Sequence, residues 1–599
     1  MQMLQASVRA AKLSTILSAL AASAAWGQTM PPVPEPSENP TTEAKRVLGK
    51  ILFWDEQLSS DNTMACGTCH RPDAGGSDPR VGIHPGPDGI TPSFDDIRGS
   101  FGVIQSDTND NYTPHTIFDL HPQVTNRAAS SIINAGYASE LFWDGRAPTT
   151  FTDPQTGIIE IVTGGALESQ VVAPPISDVE MAHAARDWNQ IATKLRAVGP
   201  LALANNLPPD VDAAIQSFPS YPALFTEAFG DDEINAKRIA FAIAAYERTL
   251  VADQAPWDLF MAGDDTALTT EQHLGWDVIR ESGCIICHPA PLFTDNTFHN
   301  TGLRPNIEDI GREAITGFLG DRGKMKTASL RNLATRPTLM HNGAFTDVIQ
   351  VFPFYAVIFN PSNPNRDILL PTGIPQEFQA PVTDFIVNGL TDPRVVAESF
   401  PFDRPTLRSE LPPNPAILLG ATPGAAGITP KIIALVPPNV GNLDFKIGVH
   451  NALGGATASL VISQTPPVTG ELINPIATIA PLVLQGSGAG TGFATVHWPI
   501  DPNPALDGEV FYMQWLIDDP AAPSGEARSD IAQLTLFAGD ALPPGCPGDA
   551  DGSNHVNLDD LQLVLFNFGS PGPAGDLDHD GDTDIDDLQT VLFWFGASC

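Results

Sequence analysis

The hydrophobic positions of this chain change period several times between its ends. Near the start, Arg9 and Lys12 precede a predominantly apolar run from Leu13 to Trp26. That run is shorter than the ~20 residues a helix needs to cross a bilayer, so it predicts an export signal rather than a span. The small residues Ala25 and Gly27 place cleavage just before Gln28, with an uncleaved N-terminal anchor as the alternative. No later stretch approaches eighteen uninterrupted apolar residues, so no membrane span is expected in the mature chain. From 413 to 542, charges thin out and short alternating or apolar runs appear: KIIALV, FKIGVH, ASLVIS, FATVHW, VFYMQWLI and AQLTLF. Turn residues separate them, which predicts an antiparallel, all-β sandwich serving as a spacer or recognition module. Beyond it, DDLQLVLF and DDLQTVLF carry Leu and Phe at helical spacing.

Composition adds bounds. At 599 residues the chain is too long for one core. Its 56 Pro and 51 Gly imply many turns and linkers. With 31 basic against 70 acidic residues the net charge is -39. No basic field exists to recruit nucleic acid or an anionic membrane surface. A basic redox partner or divalent cations would suit that charge, and so would solubility alone.

Four of the six cysteines fall into two copies of one motif, Cys66-Gly-Thr-Cys69-His70 and Cys284-Ile-Ile-Cys287-His288. Two thiols three positions apart on a helical turn can add to both vinyl groups of one porphyrin, and the adjacent His then ligates the iron. A zinc site would need the two pairs close together, yet they lie over two hundred residues apart. A thioredoxin-like pair needs no following His. Two covalent c-type haems are therefore expected.

The surrounding sequence resembles the bacterial di-haem cytochrome c peroxidases and their MauG-type relatives. The likeness runs from about 47 to 395 through LGKILFWDEQLSSDNTMACGTCHRPDAGGSD, LFWDGRAP, GCIICHPAPLFTDNTFHNTGL, GREAITG, SLRNLATRPTLMHNGAF and DFIVNGLTDPR. It implies two mainly α, cytochrome c-like domains: 46–255 holding a peroxide-reacting haem and 256–410 holding an electron-transfer haem. His70 and His288 would be the proximal ligands. In LESQVVAPPISDVEMAH, Gln170 and Glu180 sit ten positions apart, as the family's distal Gln and catalytic Glu do. Glu180 would shuttle a proton between the peroxide oxygens while Gln170 hydrogen-bonds them. Otherwise Glu180 is a solvated helix residue. Trp143, in LFWDGRA, resembles the tryptophan bridging the two haems, with Asp144 and Arg146 fixing a turn or pairing with a propionate.

Three positions depart from the pattern. His84 follows in a Gly- and Pro-rich stretch predicted to be a mobile loop. It lies about two positions from the place of a distal His ligand, so a surface loop histidine is the alternative. Standard peroxidases place Met as sixth ligand of the second haem. Counting fourteen residues on from His341 reaches Tyr355, which resembles the MauG-type branch. Pro353 makes a helix there doubtful, and Met340 and Met325 are fallback ligands. The relatives' interdomain calcium uses an Asn that aligns with Ala128, so that site is lost or rebuilt from carbonyls.

The final segment, 545–599, contains a repeat offset by twenty-seven residues. Its loops present oxygen ligands at EF-type positions, which predicts calcium binding. The first offers Asp549, Asp551, Ser553, His555 (through its carbonyl), Asn557 and Asp560. The second offers Asp576, Asp578, Asp580, Asp582, Asp584 and Asp587. This resembles the dockerin type I module, a small α, EF-hand-like unit, and implies a protein partner. Cys546 and Cys599 flank it and could close it with a disulfide.

The expectation is a multidomain chain: signal peptide 1–27, linker 28–45, two haem domains, sandwich and calcium-binding helix pair. It is exported, to the periplasm or the cell surface and beyond. The expected activity is reduction of hydrogen peroxide to water with electrons from a small donor protein, a cytochrome c or cupredoxin. A MauG-like oxidase acting on a protein or other substrate is the second reading, and a non-catalytic electron-transfer or docking protein the third.

Overall fold

A computed structural model describes residues 29–356, 365–367, 370, 373–538, 550, 558–570, 575, 583 and 585–594. Helix α1 (Glu43–Trp54) opens the first unit, its N-terminus capped by the Thr42 hydroxyl accepting from the Lys45 N–H. Its apolar face, Val47, Leu48, Ile51, Leu52, Phe53 and Trp54, is buried. It lies against a later helix of the same unit. Helix α2 spans Ala166–Val171, and α3 (Ala236–Glu247) is the helix that α1 meets. Gly49 permits that approach, because a Cβ there would fall 1.9 Å from the Ala242 carbonyl oxygen. Small strands edge this unit: β1 (Gly82–His84) pairs with β2 (Ile97–Gly99), β3 (Phe101–Ile104) with β4 (Pro122–Val124), and β5 (Phe151–Thr152) with β6 (Ile159–Ile161).

The second unit is built on α4 (Thr270–Glu281), α5 (Val351–Ala356) and α6 (Gln376–Asp384), with the hairpin β7 (Phe298–His299) and β8 (Met325–Lys326). Its core is aromatic: Trp257, Trp276, Phe293 and Phe385 have ring centroids 5.0 to 6.1 Å apart. After this unit the chain returns to the first, where Val395, Phe402 and Leu407 join the core around α1. Lys50 on α1 reaches Asp403 at 2.8 Å, and the Glu56 carboxylate accepts from the Arg408 and Ser409 N–H groups.

The following residues form two packed antiparallel sheets. One orders β10 (Lys431–Ile433), β11 (Lys446–Gly454) and β14 (Gly488–His497); the other orders β13 (Ala477–Val483), β12 (Thr457–Ser463), β15 (Val510–Asp518), β16 (Glu526–Thr535) and β9 (Ala416–Leu418). Their inner faces share one core, and Trp515 crosses it to donate from Nε1 to the Gly448 carbonyl at 3.0 Å. All six predicted runs contribute strands, and β9 and β13 are additional. Helices α7 (Leu558–Asn567) and α8 (Ile585–Trp594) follow, meeting through Val564 and Val591. Among the described residues no helix is long and apolar enough to cross a membrane. The expected leader 1–27, Cys546 and Cys599 lie outside the described residues, as do the expected calcium ligands Asp549, Asp551, Ser553, His555, Asn557, Asp576, Asp578, Asp580, Asp582 and Asp584. Asp560 and Asp587 lie buried in the first turns of α7 and α8.

Candidate active site

Each CxxCH motif opens into its own cavity. Cys66–Cys69 forms one short helical turn, capped where the Thr68 hydroxyl accepts from the Ala65 N–H. Gly67 lies on Trp54, whose ring a Cβ would meet at 2.1 Å, so the motif is seated on the end of α1. The His70 Nδ1 lies 3.3 Å from the Gly76 carbonyl. A carbonyl only accepts, so Nδ1 carries the proton and the Nε2 lone pair is left for a metal. His288 repeats the arrangement, with Nδ1 at 3.0 Å from the Phe293 carbonyl. Burial holds both imidazoles below their ordinary pKa and therefore neutral. Burial also pushes the Cys66 thiol up, to about 12. None of the four motif cysteines is in a disulfide, so all are available for thioether formation.

The first cavity encloses about 460 Å³ and is lined by Cys66, Cys69, His70, Trp143, Gln170 and Glu180 among others. The structure thus gathers the three predicted catalytic residues around one motif. Gln170 rides on α2, which is anchored by the fully buried Glu168 pairing with Arg248 at 2.7 Å and accepting from Asn39 at 2.8 Å. Glu180 follows a turn in which its N–H donates to the Ser177 carbonyl. Burial raises the Glu180 carboxyl above its ordinary value, with the Arg146 charge opposing. His84 also lines this cavity, but its segment is not a free loop. His84 is the last residue of β1, opposite Ile97 in a short hairpin, because the glycines and prolines flank the strand as turns. Its Nδ1 accepts the Gly86 N–H at 3.1 Å, which puts the proton of the neutral ring on Nε2.

The second cavity encloses about 180 Å³ and brings together Cys284, Cys287, His288, Tyr355, Met325 and Met340. All three candidate sixth ligands therefore face one space. Tyr355 lies on α5, which forms despite Pro353 because a proline in the first helical turn forfeits no intrahelical bond. Burial raises the Tyr355 phenol pKa above its ordinary value. Trp143 lines both cavities. Its Nε1 donates to the Ala128 carbonyl at 2.8 Å, and its ring meets His341 edge-on at 6.2 Å. The Ala128 carbonyl is thus engaged by the tryptophan. Asp144 fixes the turn through the Arg146 N–H and pairs with Arg127 at 2.6 Å, and Arg127 in turn holds Asp309 of the second unit.

Several lining residues escaped the sequence reading. Arg336 and Lys326 border the second cavity, and burial pulls them down to about 10 and about 8. The Arg336 Nε is buried without a protein partner. Buried cations beside a cavity call for an anion, and a porphyrin's propionates supply one, so the residues fit the expected haem. His115 is likewise a residue of the first cavity that carried no local motif, and His341, which set the count to Tyr355, lines the second.

Glu247, the last residue of α3, is 3% exposed and lines the first cavity. Burial pushes its carboxyl from 4.5 up to about 8. The folded state then holds a proton that the unfolded state has released. Stability is full below about 4.5 and falls as pH rises to about 8, by up to about 1.4 kcal/mol per pH unit. Glu247→Gln is expected to flatten that slope, as read by chemical denaturation at a series of pH values across the window.

The stretch 43–266 matches the family model described as di-haem cytochrome c peroxidase. Over 352 residues, 57% of this chain and 83% of the relative, the chain is 30% identical to the methylamine utilization protein MauG of Methylophilus methylotrophus. It is 27% identical over 432 residues to the cytochrome-c peroxidase IdrP1 of Denitromonas iodatirespirans, covering 65% of this chain and 95% of that one. Against the cytochrome c551 peroxidase of Nitrosomonas europaea it is 26% identical over 346 residues, covering 57% and 81%.

Proposed function

Because this chain belongs to the di-haem cytochrome c peroxidase family, we propose that it reduces hydrogen peroxide to water with electrons from a small donor protein, a cytochrome c or cupredoxin. The observation that carries this reading is the pair of CxxCH cavities sharing Trp143 as a wall. Family membership implies two c-type haems, attached here through Cys66, Cys69, Cys284 and Cys287 with His70 and His288 as proximal ligands. Bound haem supplies the redox-active iron for this chemistry. The chain supplies the rest. One peroxide, two protons and two electrons give two waters. Glu180 accepts the proton of one peroxide oxygen and returns it to the departing oxygen, while Gln170 orients the peroxide by hydrogen bonding. Trp143 lies between the cavities as the aromatic bridge.

Steady-state turnover of hydrogen peroxide with a reduced small cytochrome tests this reading. Trp143→Phe removes the Nε1 donor to the Ala128 carbonyl and narrows the bridge, and turnover is expected to fall with haem content unchanged. Turnover equal to wild type would remove Trp143 from the electron path.

A second reading rests on Tyr355. A tyrosinate ligand lowers a haem's potential relative to Met and would favour a MauG-like oxidase that acts on a protein or other substrate. A long-lived, two-haem oxidised state after peroxide, without donor turnover, would select it. His84 stands in the first cavity as a candidate distal ligand to complement the proximal His70, opposed by its Nδ1 acceptor bond.

The same reading places the protein outside the cytoplasm, exported by the 1–27 leader. The C-terminal repeat is read as a dockerin-like, calcium-binding module for a protein partner. The two packed helices following its acidic loops support this.

A further inference from the structure

The segment 105–121 leaves the first unit between β3 and β4 and returns to it, and its two ends and its tip do different things. At the base, Tyr112 is 2% exposed and packs with Ile104 and Leu120 against Ile433 of β10. A Cβ on Gly448 of β11 would meet the Tyr112 ring at 2.8 Å, so glycine lets the tyrosine lie flat on the sandwich. The Tyr112 N–H donates to the Thr495 hydroxyl of β14 at 2.8 Å. Lys446 of β11, its side chain 1% exposed, reaches across to the Asp110 carboxylate at 2.6 Å and the Asp110 carbonyl at 3.0 Å. Its ammonium also sits 4.3 Å from the centre of the Tyr112 ring. A buried lysine commits all its donors to this one segment.

At the tip, His115, Ile117 and Phe118 line the first cavity. The His115 Nδ1 accepts the Ile117 and Phe118 N–H groups at 3.1 and 3.2 Å, so its neutral ring carries a proton on Nε2. Phe118 stacks on His115 at 5.2 Å and meets His84 edge-on at 5.4 Å, making one aromatic wall of the three.

We propose that the β-sandwich is a positioning element of the first cavity: Lys446, Gly448 and Thr495 grip the 105–121 strap so that Phe118 and the Nε2–H donor His115 are held as a wall of the peroxide site. The sandwich thereby gains a task beyond spacing. The inference rests on the peroxide reading of that cavity.

The test uses the full-length haem-loaded protein and stopped-flow reaction with hydrogen peroxide. Lys446→Met and His115→Gln are each expected to lower the second-order rate constant by up to about 10²-fold, the scale of a ~1 Å misplacement at an active site. Lys446→Arg restores it. The double variant is expected to lose less than the product of the two single losses, because the sandwich acts partly through His115. Asp110→Asn and Thr495→Val, each deleting one contact, carry the same test if Lys446→Met is not recovered with two haems. Wild-type rates in the sandwich variants, or additive losses in the double variant, would overturn the proposal while leaving the peroxide reading intact. A wild-type protein inert to peroxide would instead overturn that reading, and the proposal with it.

Discussion

Glu180→Gln is expected to slow the reaction with hydrogen peroxide by about 10²- to 10⁴-fold, the range for a positioned acid–base group. The two haems should load normally. The amide keeps the shape and the backbone hydrogen bond to Ser177 but can neither take nor return a proton. The pH profile separates loss of chemistry from loss of structure. Burial raises the Glu180 carboxyl, so the proton-accepting form is lost at a higher pH than for an exposed glutamate. The wild-type rate should therefore rise with pH through a limb above the ordinary carboxylate range, and the Gln variant should lack that limb. An unchanged rate in Glu180→Gln would end the proposed mechanism.

Asp258→Ala is expected to destabilise the second unit by about 3–5 kcal/mol, the scale for breaking a buried ion pair from one side. The Arg331 side chain is 1% exposed and pairs with both Asp258 oxygens at 2.6 and 2.8 Å. It also donates to the Pro291 carbonyl at 2.8 Å. That turn carries the Phe293 carbonyl, which fixes the proton of His288 on Nδ1. Removing Asp258 strands a buried guanidinium and also removes the cap on the Ala255 N–H. Denaturant unfolding followed by the second haem's absorbance should show an early transition, with the first haem's lagging behind. Coincident transitions at the wild-type midpoint would show that this pair does not hold the unit.

What could be read from the sequence follows from how local each signal is. The CxxCH motifs carry their chemistry within five residues, and the structure opens each into a cavity. Gln170 and Glu180 were singled out by the resemblance of one segment to the family's pattern, and the structure places both on the wall of the first cavity. Arg336 and Lys326 were invisible because an isolated basic residue means nothing until its burial is known, and His341 served only to set the count to Tyr355. The strands β9 and β13 were missed for a different reason. Both lie at sheet edges, where short or irregular runs suffice. β13 even contains Pro481, tolerated beside the break in register between Ala458 and Leu460. Around His84, glycine and proline correctly marked turns, but turns at both ends of a strand make a hairpin rather than a mobile loop.

The return of residues 395–410 to the first core also has a topological consequence. The second unit is threaded into the first, entered from α3 and left toward Phe402, so both of its ends are tethered to the same neighbour. Relative rotation on a single swivel is thereby denied to it, and the Trp143 wall common to the two cavities is braced at two points. A gene fragment stopping at residue 255 would lack Val395, Phe402, Asp403 and Leu407, leaving Lys50 without one of its two counter-ions and α1 with an open flank.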